Sequence, residues 1–335
     1  YIDMPEDLLW ESAELLSSQD DEAPEIIPGL LSVEDKIILV AAPKVGKSIL
    51  VQQIASSVAG GHEFLPGMTP VKGEHRVLYI AGEGDVFTWR KRGRNMGSRL
   101  PIAEERLWYW IMPSFMINTR EGLQAMLEQA AMVQPTLTVI DPIYALMKGS
   151  MRDDEAAGDF VRNLNTYQHK THSAVIVCHH SHRAVRTETG MTVSEGDESY
   201  FGSMVFAAWP KSLWLMKKES NDLHYVHLSC RTNRDGRNAV ESVHLMLAEP
   251  SPLLFTVADK LHKIGPSASV IYESLKTQPR TADDLITETE RARSTVSTAL
   301  NSLRTAGLVK PRGTRPEIWE VTEPWYTPQI VDVST

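Results

Sequence analysis

The sequence predicts an α/β fold with a mostly parallel central sheet, followed by a smaller domain of helices and a β-hairpin. Four apolar runs are continuous rather than alternating, which is typical of strands buried on both faces of a parallel sheet. These runs lie at residues 37–40, 77–80, 136–140 and 174–178. Beyond residue 258 the pattern changes to three short amphipathic helices and two strands, which indicates a second domain.

The composition is that of an ordinary globular protein, with 42% hydrophobic and 23% charged residues. The net charge of −9 is unevenly distributed, because residues 1–35 hold eleven acids and no Lys or Arg. The rest of the chain holds 34 basic and 32 acidic residues. Since binding depends on local charge, the acidic total does not exclude a nucleic-acid partner. We expect residues 1–28 to form an acidic arm that either docks on a neighbouring subunit or is solvated.

Length and cysteine content favour a two-domain protein of a reducing compartment. A chain of 335 residues is long enough for two domains with a large core. There is no run of 18 apolar residues and no leader-like N-terminus, so neither a membrane span nor a secretory signal is expected. Cys178 and Cys230 lie in or beside strand-like segments and are expected to be reduced core residues of a cytoplasmic protein.

Residues 41–48 match the spacing of the Walker A phosphate loop except at the first position, where Ala41 replaces glycine. A strand precedes the loop and a helix-periodic stretch follows it, which is the context that the motif requires. Gly46 would let the backbone approach phosphates, and the helix N-terminus would attract them. Lys47 would contact the β- and γ-phosphates of ATP, and the Ser48 hydroxyl would ligate Mg²⁺. The predicted ATP-binding residues of this loop are Ala42, Pro43, Lys44, Val45, Gly46, Lys47, Ser48 and Ile49.

Two carboxylates follow strands and are predicted to complete the site. Asp141 ends the third strand, which is the Walker B arrangement, and would hold Mg²⁺ directly or through water. Glu83 follows the second strand, which we expect next to the phosphate-loop strand, and could polarise a water for attack on the γ-phosphate. An ordinary turn acid is the alternative for Glu83. Arg90, on the helix predicted after it, would either contact nucleotide or lie on a solvated face.

Three histidines, His179, His180 and His182, follow the fourth strand. A metal site is one interpretation. However, His179 and His180 would point to opposite faces of an extended chain, and no further ligands lie at metal-site spacing. We therefore favour a histidine that hydrogen-bonds the γ-phosphate.

Two later polar segments carry candidate functional arginines. The segment 184–203 is long for a loop in a compact domain and is therefore expected to be functional or mobile. Arg183 and Arg186 at its start are candidate DNA contacts. Arg231 and Arg234 lie beside a glycine-containing turn, where they form either a surface patch or arginine fingers for a neighbouring subunit's ATP site.

Residues 267–323 predict a winged helix-turn-helix. Helices are expected at 270–275, 282–287 and 293–306, and strands at 308–311 and 318–321. The polar side of the third helix and the tip of the hairpin would face DNA. The predicted contacts are Arg293, Ser297, Arg304, Arg312 and Arg315. Residues 259–335 hold ten basic and ten acidic residues, so docking on a protein is the alternative.

Taken together, the motifs resemble those of RecA-like ATPases, and in particular the RepA-type branch of hexameric replicative helicases of plasmids, phages and prophages. The segments that carry the resemblance are APKVGKS (42–48), LYIAGEGD (78–85), TVIDP (138–142), VCHHSHR (177–183), FGS (201–203) and RTNRDG (231–236). It implies that Glu83 is the catalytic carboxylate, that His180 senses the γ-phosphate, and that Arg234 with Arg231 acts on the next subunit. It also implies that the segment 184–203 faces a channel for single-stranded DNA. The winged helix lies outside the resemblance.

The sequence therefore leaves two function classes open. The first is an ATP-hydrolysing DNA motor, a ring-forming helicase expected to be a hexamer, with ATP and Mg²⁺ as cofactors and single- or double-stranded DNA as partner. The second is a non-motor, ATP-dependent DNA-binding switch, such as a replication loader, a recombination mediator or a regulator. The predicted domains are the arm (1–28), a RecA-like ATPase domain (29–258), a linker (259–266), the winged helix (267–323) and a tail (324–335).

Overall fold

The structure is a computed structural model that describes residues 12, 23–97, 105–180, 203–218, 225–233, 242–248, 253–258, 266–305, 308–313 and 317–321. The chain divides into two compact units, Tyr1–Val257 and Ala258–Thr335. Several predictions fall outside the described residues: those on the arm up to residue 22, on residues 184–202, and on Arg183, Arg186, Arg234 and Arg315. For Arg231 and Cys230 the backbone is described and the side chain is not.

The larger unit is built on a nine-stranded sheet. Its strands are β3 (Lys36–Ala41), β4 (Val77–Ala81), β5 (Leu107–Ile111), β6 (Leu137–Asp141), β7 (Ala174–His180), β8 (Ser212–Lys218), β9 (Tyr225–Asn233), β10 (Ser242–Ala248) and β11 (Leu254–Val257). A two-stranded sheet of β1 (Glu25–Ile27) and β2 (Leu31–Ser32) precedes them. The helices are α1 (Lys47–Gly60), α2 (Val86–Gly97), α3 (Arg120–Val133), α4 (Asp154–Thr171) and α5 (Met204–Ala208), with a short 3₁₀ helix at Ile143–Leu146.

The strand order is β11-β10-β9-β8-β3-β7-β6-β4-β5. The strands from β8 to β5 pair in parallel, and β9, β10 and β11 extend the sheet in antiparallel fashion. The expectation that the strand before Glu83 lies next to the phosphate-loop strand was wrong. The chain crosses from β3 to the outer position of β4, and then β6 and β7 fill the gap between them.

Helices cover both faces of this sheet, which explains why the apolar runs are continuous. Ile37 and Leu39 of β3 pack on the face covered by α1, whereas Ile38 and Val40 pack on the face covered by α3, α4 and α5. All four side chains are buried. No helix among the described residues is long and apolar enough to cross a membrane.

Two elements differ from what the sequence pattern indicates. The helix expected at 160–169 begins earlier, at Asp154, because the Asp153 carboxylate accepts hydrogen bonds from the amides of Glu155 and Ala156 at 3.0 and 3.4 Å. The strand β5 was not expected at all. It lies at the edge of the sheet, where Trp108 is 48% exposed, so its pattern is not that of a fully buried strand.

The described part of the smaller unit contains three helices and a three-stranded antiparallel sheet. Its elements are α6 (Pro266–Thr277), β12 (Arg280–Thr281), α7 (Ala282–Thr289), α8 (Arg293–Thr305), β13 (Val309–Arg312) and β14 (Ile318–Val321). The strand order is β12-β14-β13. A core that includes Ile271, Leu285, Leu303 and Trp319 joins the helices to the sheet. A capping box between Thr281 and Asp284 fixes the start of α7.

Candidate functional site

A cavity of about 810 Å³ lies where the carboxyl ends of β3, β6 and β7 meet the loop that follows β4. In open α/β sheets this edge is where ligands bind. The cavity is lined by Pro43, Lys44, Val45, Gly46, Lys47, Ser48, Ile49, Glu83, Arg92, Asp141, Ile143, Tyr144, Met151, His179, His180, Lys218 and Leu247. The candidate residues of four separate motifs thus share one space. Ala42 lines a smaller neighbouring cavity of about 250 Å³.

The phosphate loop joins β3 to α1 and depends on Gly46. This residue has φ 108°, a left-handed conformation, and a Cβ there would lie 2.7 Å from the ring of the buried Phe255. Ala41, at the first motif position, is still part of β3 and has extended geometry, so an alanine fits there. No side chain among the described residues caps α1, which leaves its first amides suited to receive an anion.

Lys47 is buried and forms the centre of the site. Its ammonium donates to the carbonyls of Ala41 at 2.9 Å and Ala42 at 3.3 Å, and to Nδ1 of His180 at 2.9 Å. An ammonium can only donate, so Nδ1 accepts and the imidazole is neutral with its proton on Nε2. Burial lowers the pKa of Lys47, against the opposing charges of Cys178, Asp141 and Glu83. Burial, and then the Lys47 charge, lower the pKa of His180.

Ser48 and Asp141 provide the oxygen ligands that Mg²⁺ prefers. Both line the cavity, Ser48 in the first turn of α1 and Asp141 at the end of β6. Mg²⁺ is usually held by one or two carboxylates together with substrate phosphates and water rather than by an all-protein cage. The described part of the chain has no group of three or more His, Cys, Asp or Glu that could hold a metal. The donor set therefore fits a Mg²⁺ that is bound together with phosphates, which would neutralise their charge.

Glu83 reaches the same cavity from the loop after β4. Its backbone carbonyl accepts a hydrogen bond from the indole of Trp89 at 3.0 Å, which fixes the loop. Partial burial raises the pKa of the Glu83 carboxyl and the nearby Asp141 charge adds to this, whereas Lys47 opposes it. A carboxylate with a raised pKa is a better general base for a water molecule.

The structure also brings residues to the cavity that the motifs do not indicate. Arg92 lines the cavity with its guanidinium 5.2 Å from the Trp89 ring, whereas Arg90 is exposed and is not among the lining residues. The Tyr144 ring lies 5.1 Å from that of His180. The basic run on α2 signals that an arginine could contact a ligand, but only the helix's orientation selects Arg92. The contact of Arg90 with nucleotide stays a prediction.

The candidate DNA contacts of the smaller unit lie on its surface, and two of them are paired with acids. Arg293 forms an ion pair with Asp283 at 2.5 Å, and Arg312 forms one with Glu320 at 3.7 Å. Ser297 and Arg304 are exposed on α8. The structure therefore brings Arg293, Ser297 and Arg304 onto one helix, with acids beside the first.

Ser203 caps α5 and ties it to α4. Its hydroxyl donates to the Asp154 carboxylate at 2.6 Å and accepts from the amide of Val205 at 3.2 Å. The last residue of the FGS segment thus has a role in local structure.

Comparisons with solved structures agree with this architecture. The solved ATPase domain of a helicase is similar at a TM-score of 0.51 and 14% identity, over 68% of this chain and 86% of that one. A KaiC-like protein, PH0186, from Pyrococcus horikoshii OT3 is similar at a TM-score of 0.48 and 13% identity, over 70% of this chain and 94% of that one. The RadB recombinase has a TM-score of 0.43 and 15% identity over 70% of this chain and 93% of its own.

The sequence comparison is more direct. No curated protein matches the chain. The family model for the AAA domain matches residues 4–184, which is more than half of the chain and includes the phosphate loop, Glu83, Asp141 and His180. The chain therefore belongs to the AAA domain family and carries a RecA-like P-loop ATPase core.

Proposed function

We propose that this chain is an ATP-hydrolysing motor that acts on DNA, a ring-forming helicase of the RepA-like replicative type. The observation that carries the proposal is the cavity that Lys47, Ser48, Glu83, Asp141 and His180 share. These residues come from four segments that are far apart in the sequence. Their convergence supports phosphate binding, metal binding and water activation at one place.

The binding of ATP requires a rearrangement of Lys47. The ammonium is bonded to two loop carbonyls and to His180, and the phosphates would replace part of this set. The lowered pKa of Lys47 reflects the cost of burying its charge, and an anion in the cavity would offset that cost. The amides at the start of α1 would hold the phosphates, and Ser48 and Asp141 would hold Mg²⁺.

Hydrolysis would use Glu83 and His180. Glu83 would orient a water molecule and accept its proton. His180, once Lys47 moves to the phosphates, would have Nδ1 free and would donate from Nε2–H to a phosphate oxygen. Arg234, with Arg231, would supply positive charge to the neighbouring subunit's site, as the resemblance implies. This role makes a ring necessary for turnover.

The smaller unit supports the DNA-binding part of the proposal. Three helices followed by an antiparallel hairpin are the elements of a winged helix, and α8 would be the recognition helix. Its exposed Ser297 and Arg304, together with Arg293 at the helix start, would contact bases or phosphates. Arg312 and Arg315 would lie on the wing.

A second candidate function is a non-motor switch that uses ATP to change its assembly on DNA or on a protein. The ion pairs Arg293–Asp283 and Arg312–Glu320 favour it, because cations already neutralised by acids attract phosphates less. On this alternative the smaller unit would dock on a protein partner.

ATP turnover, measured with and without single-stranded DNA while the oligomer mass is recorded, separates the two functions. The motor predicts turnover that DNA accelerates, that Lys47→Ala abolishes, and that occurs only in a ring-sized species. Such a result would justify a strand-displacement assay. Turnover that ignores DNA, or that a monomer performs, would favour the switch and contradict the motor.

A further inference from the structure

The hydroxyl of Tyr79 holds the Asp141 carboxylate from within the sheet, and Tyr79 itself does not line the cavity. Tyr79 is on β4 and fully buried, and its hydroxyl donates to Oδ2 of Asp141 at 2.7 Å. Asp141 is 3% exposed and lines the cavity. A hydrogen bond to an ionised acceptor is among the stronger ones in proteins.

This contact follows from the register of the sheet. Residue Ala81 of β4 lies opposite Asp141 of β6, and Tyr79 lies opposite Val139. Tyr79 and Asp141 are therefore diagonal neighbours on one face, a separation that an aromatic side chain can span. The small side chain of Ala81 is the direct neighbour of Asp141, so the tyrosine supplies the polar partner from two residues away.

The ring of Tyr79 is itself held in place. Its centroid lies 5.0 Å from the Trp89 ring and 5.4 Å from the Tyr109 ring. Trp89 is also the residue that bonds the Glu83 carbonyl. The thiol of Cys178, on β7, is a second hydrogen-bond partner of Asp141, but a thiol is a weak donor.

We propose that Tyr79 is the positioning residue of the metal ligand Asp141. It holds the carboxylate in one orientation so that the orientation need not be acquired when Mg²⁺ and nucleotide bind. Partners of this kind, one step removed from the metal, typically change metal affinity by about 10- to 100-fold when they are removed. The inference rests on the proposed use of Mg²⁺ and ATP at this site.

The test compares Tyr79→Phe with Tyr109→Phe in the full chain. Tyr109 belongs to the same aromatic cluster, but its hydroxyl accepts from Gln52 at 3.0 Å, so its removal is a matched control. The dissociation constant of a fluorescent ATP analogue is measured in EDTA and over a series of Mg²⁺ concentrations. Thermal unfolding of each variant is recorded alongside.

We expect Tyr79→Phe to raise the Mg²⁺ concentration needed for half-maximal tightening by about tenfold, with binding in EDTA unchanged. Tyr109→Phe should match the wild type in both conditions. In an Asp141→Asn background, Tyr79→Phe should add no further loss of Mg²⁺ dependence, and this comparison holds even if the single variants differ in stability.

Other outcomes overturn the proposal in distinguishable ways. A wild-type Mg²⁺ dependence in Tyr79→Phe would overturn the positioning role and leave the proposed ATPase intact. An equal loss in EDTA and in Mg²⁺, or an equal loss in Tyr109→Phe, would show that the ring cluster acts only through packing. Wild-type binding that Mg²⁺ does not change would overturn the metal site of the proposed function and this inference with it.

Discussion

The cavity at the ends of β3, β6 and β7 and the polar face of α8 both collect residues that the sequence marks as functional, but they hold them differently. In the cavity Lys47 and Asp141 are buried, and each is bonded to groups from other strands. On α8 and the neighbouring strands, Arg293 and Arg312 are exposed and paired with acids. Buried charges are costly unless their surroundings are built for them, whereas exposed pairs contribute little. The comparison indicates that the cavity is preorganised for a ligand and that the α8 face depends on its partner.

The largest effect is expected from Lys47→Ala. It removes the buried ammonium that would contact the phosphates, and we expect a fall in kcat of at least about a hundredfold, together with weaker ATP binding. Lys91→Ala, which removes the same charge from an exposed position of α2, is the matched control. A Lys47→Ala variant that hydrolyses ATP as fast as Lys91→Ala would contradict the idea that the cavity is the catalytic site.

Glu83→Gln is expected to separate binding from chemistry. The variant keeps the shape of the side chain and loses the base, so kcat should fall by about 10²- to 10⁴-fold while ATP still binds. The control is Asp85→Asn in the same loop, since the Asp85 carboxylate accepts from the amide of Thr88 at the start of α2. The control should lower the melting temperature slightly and leave kcat nearly unchanged. Equal losses of kcat in both variants would mean that the loop, rather than the carboxylate, matters.

The pH dependence of stability should report on His180. Its pKa in the folded chain lies below the ordinary value of 6.5, so the unfolded chain takes up the proton first as the pH falls. The contribution of the neutral ring to stability is complete above pH 6.5 and is lost as the pH falls below it.

We therefore expect His180→Asn, whose amide oxygen can still accept from Lys47, to lose less melting temperature than the wild type between about pH 8 and about pH 5. His75→Asn, before β4 at the opposite edge of the sheet, should follow the wild type. Parallel curves for wild type and His180→Asn would contradict the neutral His180 bonded to Lys47.

The smallest effect is expected on the α8 side of the comparison. Asp283→Asn releases Arg293, and Glu320→Gln releases Arg312 and Lys310. If this face binds DNA, each change should strengthen binding at low salt by up to about fivefold and steepen its salt dependence. The control is Glu273→Gln, which removes an equal charge from an exposed pair on α6. Variants that bind DNA no better than this control would favour a protein partner.

Much of the cavity could be predicted from the sequence because its parts are local patterns. The strand before Ala41, the glycine at position 46 and the acid that ends β6 each follow from a few neighbouring residues. The rule that parallel strands present their carboxyl ends at one edge then brings them together.

The rest depends on register and on strand order, which local patterns do not carry. Tyr79 and Asp141 are 62 positions apart, and Lys47 and His180 are 133 apart. The central position of β7, and hence the outer position of β4, follows from how the crossovers pack rather than from any single segment. Arg92 was missed for a related reason, since the orientation of α2 selects it over Arg90.

A structure of the full chain with Mg²⁺ and a non-hydrolysable ATP analogue would test the central claim most directly. We predict that Lys47 leaves the carbonyls of Ala41 and Ala42 and contacts the phosphates, and that its 2.9 Å hydrogen bond to His180 is broken. Ser48 and Asp141 should face the metal, and Glu83 should face the terminal phosphate. A nucleotide bound outside the cavity, or a Lys47 still bonded to the loop carbonyls and His180 beside the phosphates, would contradict the account.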